Sequence, residues 1–172
     1  MEVLDRFAQG DIEAFEALFR QFQGQVYGWI VRIVRDRGIA EDLTVETFWR
    51  IYRAHARFDP EGNFGAWARR IATNAALDHL KAARREVALP DDLAAGAQPD
   101  PAVHQEVHER IDRAFRELPA KLQVPATLGL VEEESYEQIA EVLGISVGAV
   151  KSRVFRAVRL LRRKLKRLGV EP

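Results

Sequence analysis

Residues 135–150 read Ser-Tyr-Glu-Gln-Ile-Ala-Glu-Val-Leu-Gly-Ile-Ser-Val-Gly-Ala-Val, and their order decides the fold. Ser135 followed three places on by Gln138 is a capping box, in which the two residues satisfy each other's orphan N–H groups at a helix start. Gly144 can adopt the left-handed conformation that ends that helix, and Ser146 can cap the next. Between them lies a turn of about three residues. Ala140 lets the two helices approach, Gly144 makes the sharp turn and Val150 packs the second helix back onto the first. This is the grammar of a helix-turn-helix.

The second helix is predicted to run from Val147 to about Leu168, burying Val150, Val154, Ala157, Val158, Leu161, Leu165 and Leu168. Lys151, Ser152, Arg153, Arg156, Arg159, Arg163 and Lys164 then turn outward or sideways. Lys151, Ser152, Phe155 and Arg156 fall near the start of the helix that would enter a major groove. Arg can grip guanine through two hydrogen bonds, Lys and Ser can reach phosphates or base edges, and Phe can touch a thymine methyl. The competing account makes these cations a solvated face and a complement to the helix dipole.

Charge is segregated along the chain. The 172 residues hold 26 basic and 26 acidic side chains, so the net charge is zero. Residues 1–85 nevertheless carry 13 basic and 12 acidic groups, residues 86–143 carry 4 and 13, and residues 144–172 carry 9 and 1. A local anion-binding surface within a neutral chain follows, with nucleic acid the first partner to consider. The absence of Cys removes disulfides, thiolate zinc sites, iron–sulfur clusters and Cys nucleophiles. No apolar run approaches the ~18 residues of a membrane span, and Glu2, Asp5 and Arg6 interrupt any greasy leader, so a soluble, cytoplasmic protein without membrane contact of its own is expected.

Upstream the periods are helical as well, and the fold class is all-α, two small helical bundles joined by a flexible linker. From Asp11, a plausible N-cap, to Val34, a stripe of Phe15, Leu18, Phe19, Phe22, Val26, Trp29, Ile30 and Ile33 marks one long helix, closed by Arg35 to Gly38. Ile39 to Phe58 repeats the pattern, Asp59 to Asn63 form a turn, and Phe64 to Arg85 make a third helix with Trp67, Ala68, Ile71, Ala72, Ala75 and Leu80 inward. Residues 86–102, with Pro90, Pro99, Pro101, Asp91, Asp92 and Asp100, read as an acidic linker of 17 residues, long enough to span ~60 Å. Val103, Val107, Ile111, Phe115 and Leu118 open a second bundle, and Pro119 ends that helix or begins the next. The expected domains are thus 1–85, 86–102 and 103–172.

Around the third helix lie Phe58, Phe64 and Trp67, then Arg69, Arg70, Lys81, Arg84 and Arg85, with Asn74 and Asp78 one turn apart. Aromatic surface, an amide to read a base edge and cations for phosphates are what separated bases require. From composition alone the favoured reading makes Phe64 and Trp67 core, with Asn74 and Asp78 satisfying buried groups or each other.

Both halves resemble one family, the extracytoplasmic-function (ECF) sigma factors, group 4 of the sigma-70 family of bacterial RNA polymerase. The resemblance rests on Asp11-Ile-Glu-Ala-Phe-Glu-Ala-Leu-Phe-Arg, Ala40-Glu-Asp-Leu-Thr-Val-Glu-Thr-Phe-Trp-Arg and Phe64-Gly-Ala-Trp-Ala-Arg-Arg-Ile-Ala-Thr-Asn-Ala-Ala-Leu-Asp, with Arg84-Arg85, for region two. Leu118-Pro119, Ser135 to Ala140 and Gly148-Ala-Val-Lys-Ser-Arg-Val-Phe-Arg-Ala carry it for region four. It implies that Asp42, Glu46, Phe48 and Arg50 dock on the β′ clamp helices of core polymerase. It further implies that Phe58, Phe64, Trp67, Arg70, Asn74, Lys81, Arg84 and Arg85 engage the minus-ten element as it opens to single strands. Lys151, Ser152, Arg153, Phe155 and Arg156 would read the duplex minus-thirty-five element while region four meets the β flap. The linker would thread toward the RNA exit channel, and an anti-sigma factor would restrain the protein. The chain departs from the family's usual Gln at Val45 and its usual Arg at Gln123, Gly129 and Val158, and Pro125 falls in a segment the family makes helical, where a kink or restart is expected.

Two rivals remain at this stage. An enzyme would need a site, but Glu132, Glu133 and Glu134 read as solvated carboxylates before a capped helix, and His104 with His108 has metal-ligand spacing without further ligands. His55 and His79 stand isolated, so no catalytic residue, metal or cofactor is assigned. The second rival is a stand-alone helix-turn-helix regulator with an N-terminal helical sensor or dimerisation domain.

Overall fold

A computed structural model describes residues 2–87 and 103–170, and no strand occurs among the described residues. The all-α class stands, in two compact units: one built on residues up to Leu80, the other on most of the chain beyond it. Most of the expected linker lies outside the described residues.

In the first unit, α1 (Val3–Ala8) leads into α2 (Ile12–Val34). The α2 start follows from Asp11, whose carboxylate accepts the N–H groups of Glu13 and Ala14 at 2.9 and 3.1 Å. Arg6 donates to the same side chain at 2.7 Å. These hydrogen bonds, that from Arg6 foremost, hold the Asp11 carboxyl below its usual range. Gly10 makes the reversal between α1 and α2 at φ 85°, and a Cβ there would lie 3.0 Å from the His55 ring.

The junction after α2 is tighter than the sequence predicts. Arg35 alone closes α2, in the left-handed region at φ 59°. Asp36 caps α3 (Arg37–Arg53) by accepting from the Ile39 N–H at 2.9 Å, so Gly38 falls inside the first turn of α3. A 3₁₀ turn at His55–Arg57 then leads to α4 (Phe64–Val87). Leu18, Val26, Trp29, Ile30 and Ile33 of α2 are buried, as are Leu43, Phe48 and Ile51 of α3 and Ala68, Ala72 and Ala75 of α4, while Phe15, Phe19, Phe22, Tyr52, Trp67, Ile71 and Leu80 of the expected stripes are half-buried.

The short helix α1, unread in the sequence, supplies the centre of this core. Phe7 is 0% exposed, with its ring centroid 5.5 Å from Phe64, 5.9 Å from Phe58 and 6.2 Å from Trp67. Burying each such ring is worth roughly 1.5–3 kcal/mol. A polar contact crosses the interior: the Trp29 indole N–H donates to Thr73 Oγ1 at 2.8 Å, and that hydroxyl donates to the Arg69 carbonyl.

Beyond α4 come α5 (Val103–Arg116), α6 (Ala120–Ala126), α7 (Tyr136–Leu143) and α8 (Val147–Arg167), and the core of the second unit is Ala114, Leu118, Leu122, Ala126, Ala157 and Leu161, drawn from α5, α6, α8 and the junction between the first two. Pro125 does not restart the helix. It sits within α6, and the chain passes into a π-helical stretch, Thr127–Val131, closed by the Glu132 N–H donating to the Thr127 carbonyl at 3.1 Å. Proline removes an α-type hydrogen bond, and the wider turn gives the following carbonyls new donors.

Candidate nucleic-acid interface

The helix-turn-helix forms as its capping residues dictate. The Ser135 N–H donates to Gln138 Oε1 at 3.0 Å, and the Gln138 N–H donates to Ser135 Oγ at 3.2 Å. Gly144 turns the chain at φ 65°, and Ser146 Oγ accepts the Ala149 N–H at 3.1 Å to start α8. Val150, Val154, Ala157 and Leu161 are then buried on one side of α8.

That packing leaves Lys151, Ser152, Phe155 and Arg156 exposed on the other side, with Arg153 half-buried at its flank. Arg156 Nη2 donates to Ser152 Oγ at 3.0 Å, and the Arg159 guanidinium lies 5.9 Å from the Phe155 ring centroid. Phe155 is 64% exposed among these cations. A large apolar ring held in water on a basic face can make an apolar contact in a groove whose walls are anionic.

On α4, Arg70, Asn74, Asp78, Lys81 and Arg85 recur at steps of three and four and are all exposed, giving one continuous stripe. Arg84 lies beside it, partly buried, which pulls its guanidinium pKa down while leaving it charged. The aromatic residues differ from expectation. Phe58 and Phe64 are 6% and 3% exposed, because their faces are taken up by Phe7, by each other and by Trp67. This runs against their assignment as exposed surfaces for unstacked bases and bears out the core reading of Phe64: both rings pack inside the unit at the start of α4. Trp67 is half-buried, its ring 5.0 Å from Phe58. Near that helix start a cleft of 270 Å³ opens between Phe22, Trp29, Asn63, Gly65 and Arg69, with the Arg69 guanidinium 4.3 Å over the Trp29 ring.

The partner-facing residues proposed on α3 also divide. Asp42 is exposed and Glu46 half-buried. Phe48 is 3% exposed against Phe15 and Phe19, so it packs inside the unit and reaches the surface only as part of the lining of a groove between α2 and α3. Arg50 is engaged within the unit, donating to Glu46 at 2.9 Å and to Asp78 at 2.8 Å, and these carboxylates, Glu46 foremost, raise its pKa. The structure exposes Val45, where the family usually has Gln, at 57%, and beside it two apolar residues given no role above, Ile12 at 54% and Trp49 at 57%. With Phe15, Phe19, Phe48 and Tyr52 they line a groove of 330 Å³ between α2 and α3. The signal was present, since Val45 and Trp49 form an i, i+4 apolar pair off the buried stripe.

Gly129, where the resemblance expects Arg, packs closely: a Cβ there would stand 3.4 Å from Ile139 and 3.6 Å from Tyr136. Among the described residues no three His, Asp or Glu side chains gather as a metal site, and no helix is long and apolar enough to cross a membrane.

Comparison with known proteins finds two family patterns in the chain. Residues 18–86 match the pattern of Sigma-70 region 2, and residues 108–161 that of Sigma-70, region 4. The RNA polymerase sigma-H factor of Pseudomonas aeruginosa is 34% identical over 170 residues, covering 91% of this chain and 88% of that protein. The ECF RNA polymerase sigma-E factor of Haemophilus influenzae is 33% identical over 180 residues, covering 96% of this chain and 95% of that protein. The solved structure of the sigma factor RpoE in complex with the anti-sigma factor NepR from Bartonella quintana shares the fold. Its TM-score is 0.57 at 23% identity, over 90% of this chain and 98% of that chain.

Proposed function

This chain belongs to the ECF sigma factors of RNA polymerase, and from that premise we propose that it docks on core polymerase through α2 and α3, reads the minus-ten element with α4 and the minus-thirty-five element with α8. It is a transcription initiation factor, and the chemistry of RNA synthesis belongs to the polymerase. The observation that carries the reading is the exposed face of α8, where Lys151, Ser152, Phe155 and Arg156 stand beyond a fully formed turn. Asn74, Arg70, Lys81, Arg84 and Arg85 follow as the minus-ten residues, with Trp67 and the cleft by Asn63 and Arg69 as the place for an extruded base. Asp42 and Glu46 contact the β′ clamp helices beside the apolar groove, and region four meets the β flap. We place the protein in the cytoplasm under an anti-sigma factor, as for the relative solved with one. The domain limits 1–85, 86–102 and 103–172 belong to the same reading. A stand-alone regulator does not explain two sigma regions in their family order.

The test is reconstitution of purified chain with core polymerase on a promoter library, with core alone as control. Selective initiation that requires the chain is expected; tight footprinting by the chain alone, with no gain over core, would overturn the proposal. Trp49→Glu places a charge in the apolar groove and is expected to weaken core association at least tenfold, read by competition for fluorescent core. Its thermal midpoint should stay near wild type, because the Trp49 side chain is exposed. Unchanged core affinity would remove this groove from the docking surface.

A further inference from the structure

The α4 stripe contains one residue of the wrong sign. Asp78 follows Asn74 by one turn and precedes Lys81 by three residues, in the middle of the face assigned to single-stranded DNA, and its side chain is 60% exposed. A carboxylate there repels the phosphates that Arg70, Lys81 and Arg85 attract. It is not left bare. Arg50 reaches across from α3, its Nη1 2.8 Å from Asp78 Oδ2 and its Nε 2.9 Å from Glu46 Oε1. Glu46 has a second cation in Arg53, at 3.8 Å, so Arg50 is the group whose loss changes Asp78 most.

We propose that Asp78 sets the strength and selectivity of the minus-ten face by limiting its positive charge, and that Arg50 is the positioning residue whose cation balances the Asp78 carboxylate. This rests on the assignment of α4 to single-stranded DNA made above. The physical gain is discrimination. A stripe with excess cations holds any strand through its phosphates, and the base contact at Asn74 then contributes a smaller share of the binding. With Asp78 paired, the stripe attracts a strand without being dominated by that term.

Removing one unit of stripe charge removes about one neutralised phosphate. For single strands this changes the slope of log K against log salt by about 0.7, and at about 0.15 M salt changes affinity about fourfold. Arg50→Met, which bares Asp78, is therefore expected to weaken strand binding about fourfold. Asp78→Asn is expected to strengthen it by a similar factor and to steepen the salt dependence, and the double variant should return close to wild type. A purely structural pair behaves differently: both single changes weaken binding, and the salt slope stays put.

The experiment uses the full chain saturated with core polymerase and a fluorescein-labelled single strand of randomised sequence about 20 nucleotides long, followed by anisotropy over a salt series. Opposite shifts for the two single variants, with restoration in the double, support the proposal. Asp78→Asn binding at or below wild-type affinity, or with an unchanged slope, overturns it while leaving the minus-ten assignment standing. Should wild-type holoenzyme hold the strand no better than core alone, the assignment of α4 fails and takes this inference with it.

Discussion

Glu133 holds its backbone at φ 53°, in the left-handed region where a Cβ crowds the following carbonyl oxygen. Its side chain is exposed, two residues before Ser135, which caps α7. Glycine adopts this conformation without the clash but has more freedom to lose on folding, and the first effect is the larger. Glu133→Gly is accordingly expected to raise the unfolding free energy by about 0.5–1 kcal/mol, measured by urea denaturation. A loss of stability would mean that the carboxylate makes a contact worth more than the strain. The same scale shows what could be read from sequence. Lys151, Ser152, Phe155 and Arg156 were placed correctly on the exposed side of α8 because Ser146 fixes the helix phase. The side taken by Phe58 and Phe64 was not legible, since an aromatic residue at a helix start reads the same whether it faces solvent or core. What decides between the two is Phe7, which is distant in sequence.

Between elements, the tie from α5 to α8 is electrostatic as well as apolar. Glu117, just past the end of α5, accepts from Lys164 Nζ of α8 at 2.8 Å and from Arg113 Nε at 3.2 Å. These two cations, Lys164 first, hold the Glu117 carboxyl below its ordinary value of 4.5. A carboxyl depressed in the folded state contributes stability that is fully present above the unfolded value and is lost as pH falls through the folded one. The thermal midpoint of wild type should therefore drop more steeply between about pH 5 and pH 3 than that of Glu117→Gln, whose amide does not titrate. Parallel curves for the two proteins would show that the pair is screened by solvent and contributes nothing. Such ties are invisible in sequence, as are the π-helical passage after Pro125 and the six-residue α1, which is too short to show a period. The long helices and the turn at Gly144 were legible because each carries its own periodicity and caps.

For the molecule as a whole, net charge and local charge say different things. The chain sums to zero, yet residues 144–172 carry 9 basic groups against 1 acidic, and Lys151, Arg156, Arg159 and Arg163 of α8 are exposed. A uniformly neutral surface would bind duplex DNA with little dependence on salt. A neutral chain with a concentrated basic helix should show the dependence of the helix, because counterions leave only the phosphates that it covers. If Lys151, Arg159 and Arg163 each neutralise a phosphate, log K for a duplex carrying the upstream element should fall with log salt at a slope of about −2.7. Lys151→Ala should make that slope shallower by about 0.9, and weaken binding to unrelated duplexes by the same factor as to the promoter. Arg156→Ala should instead lower promoter affinity more than non-specific affinity, by about 1–3 kcal/mol, since its contact is to a base. Both variants are measured as holoenzyme by anisotropy titration. Slopes near zero, or a Lys151 variant selective for the promoter sequence, would place the DNA on a face other than α8.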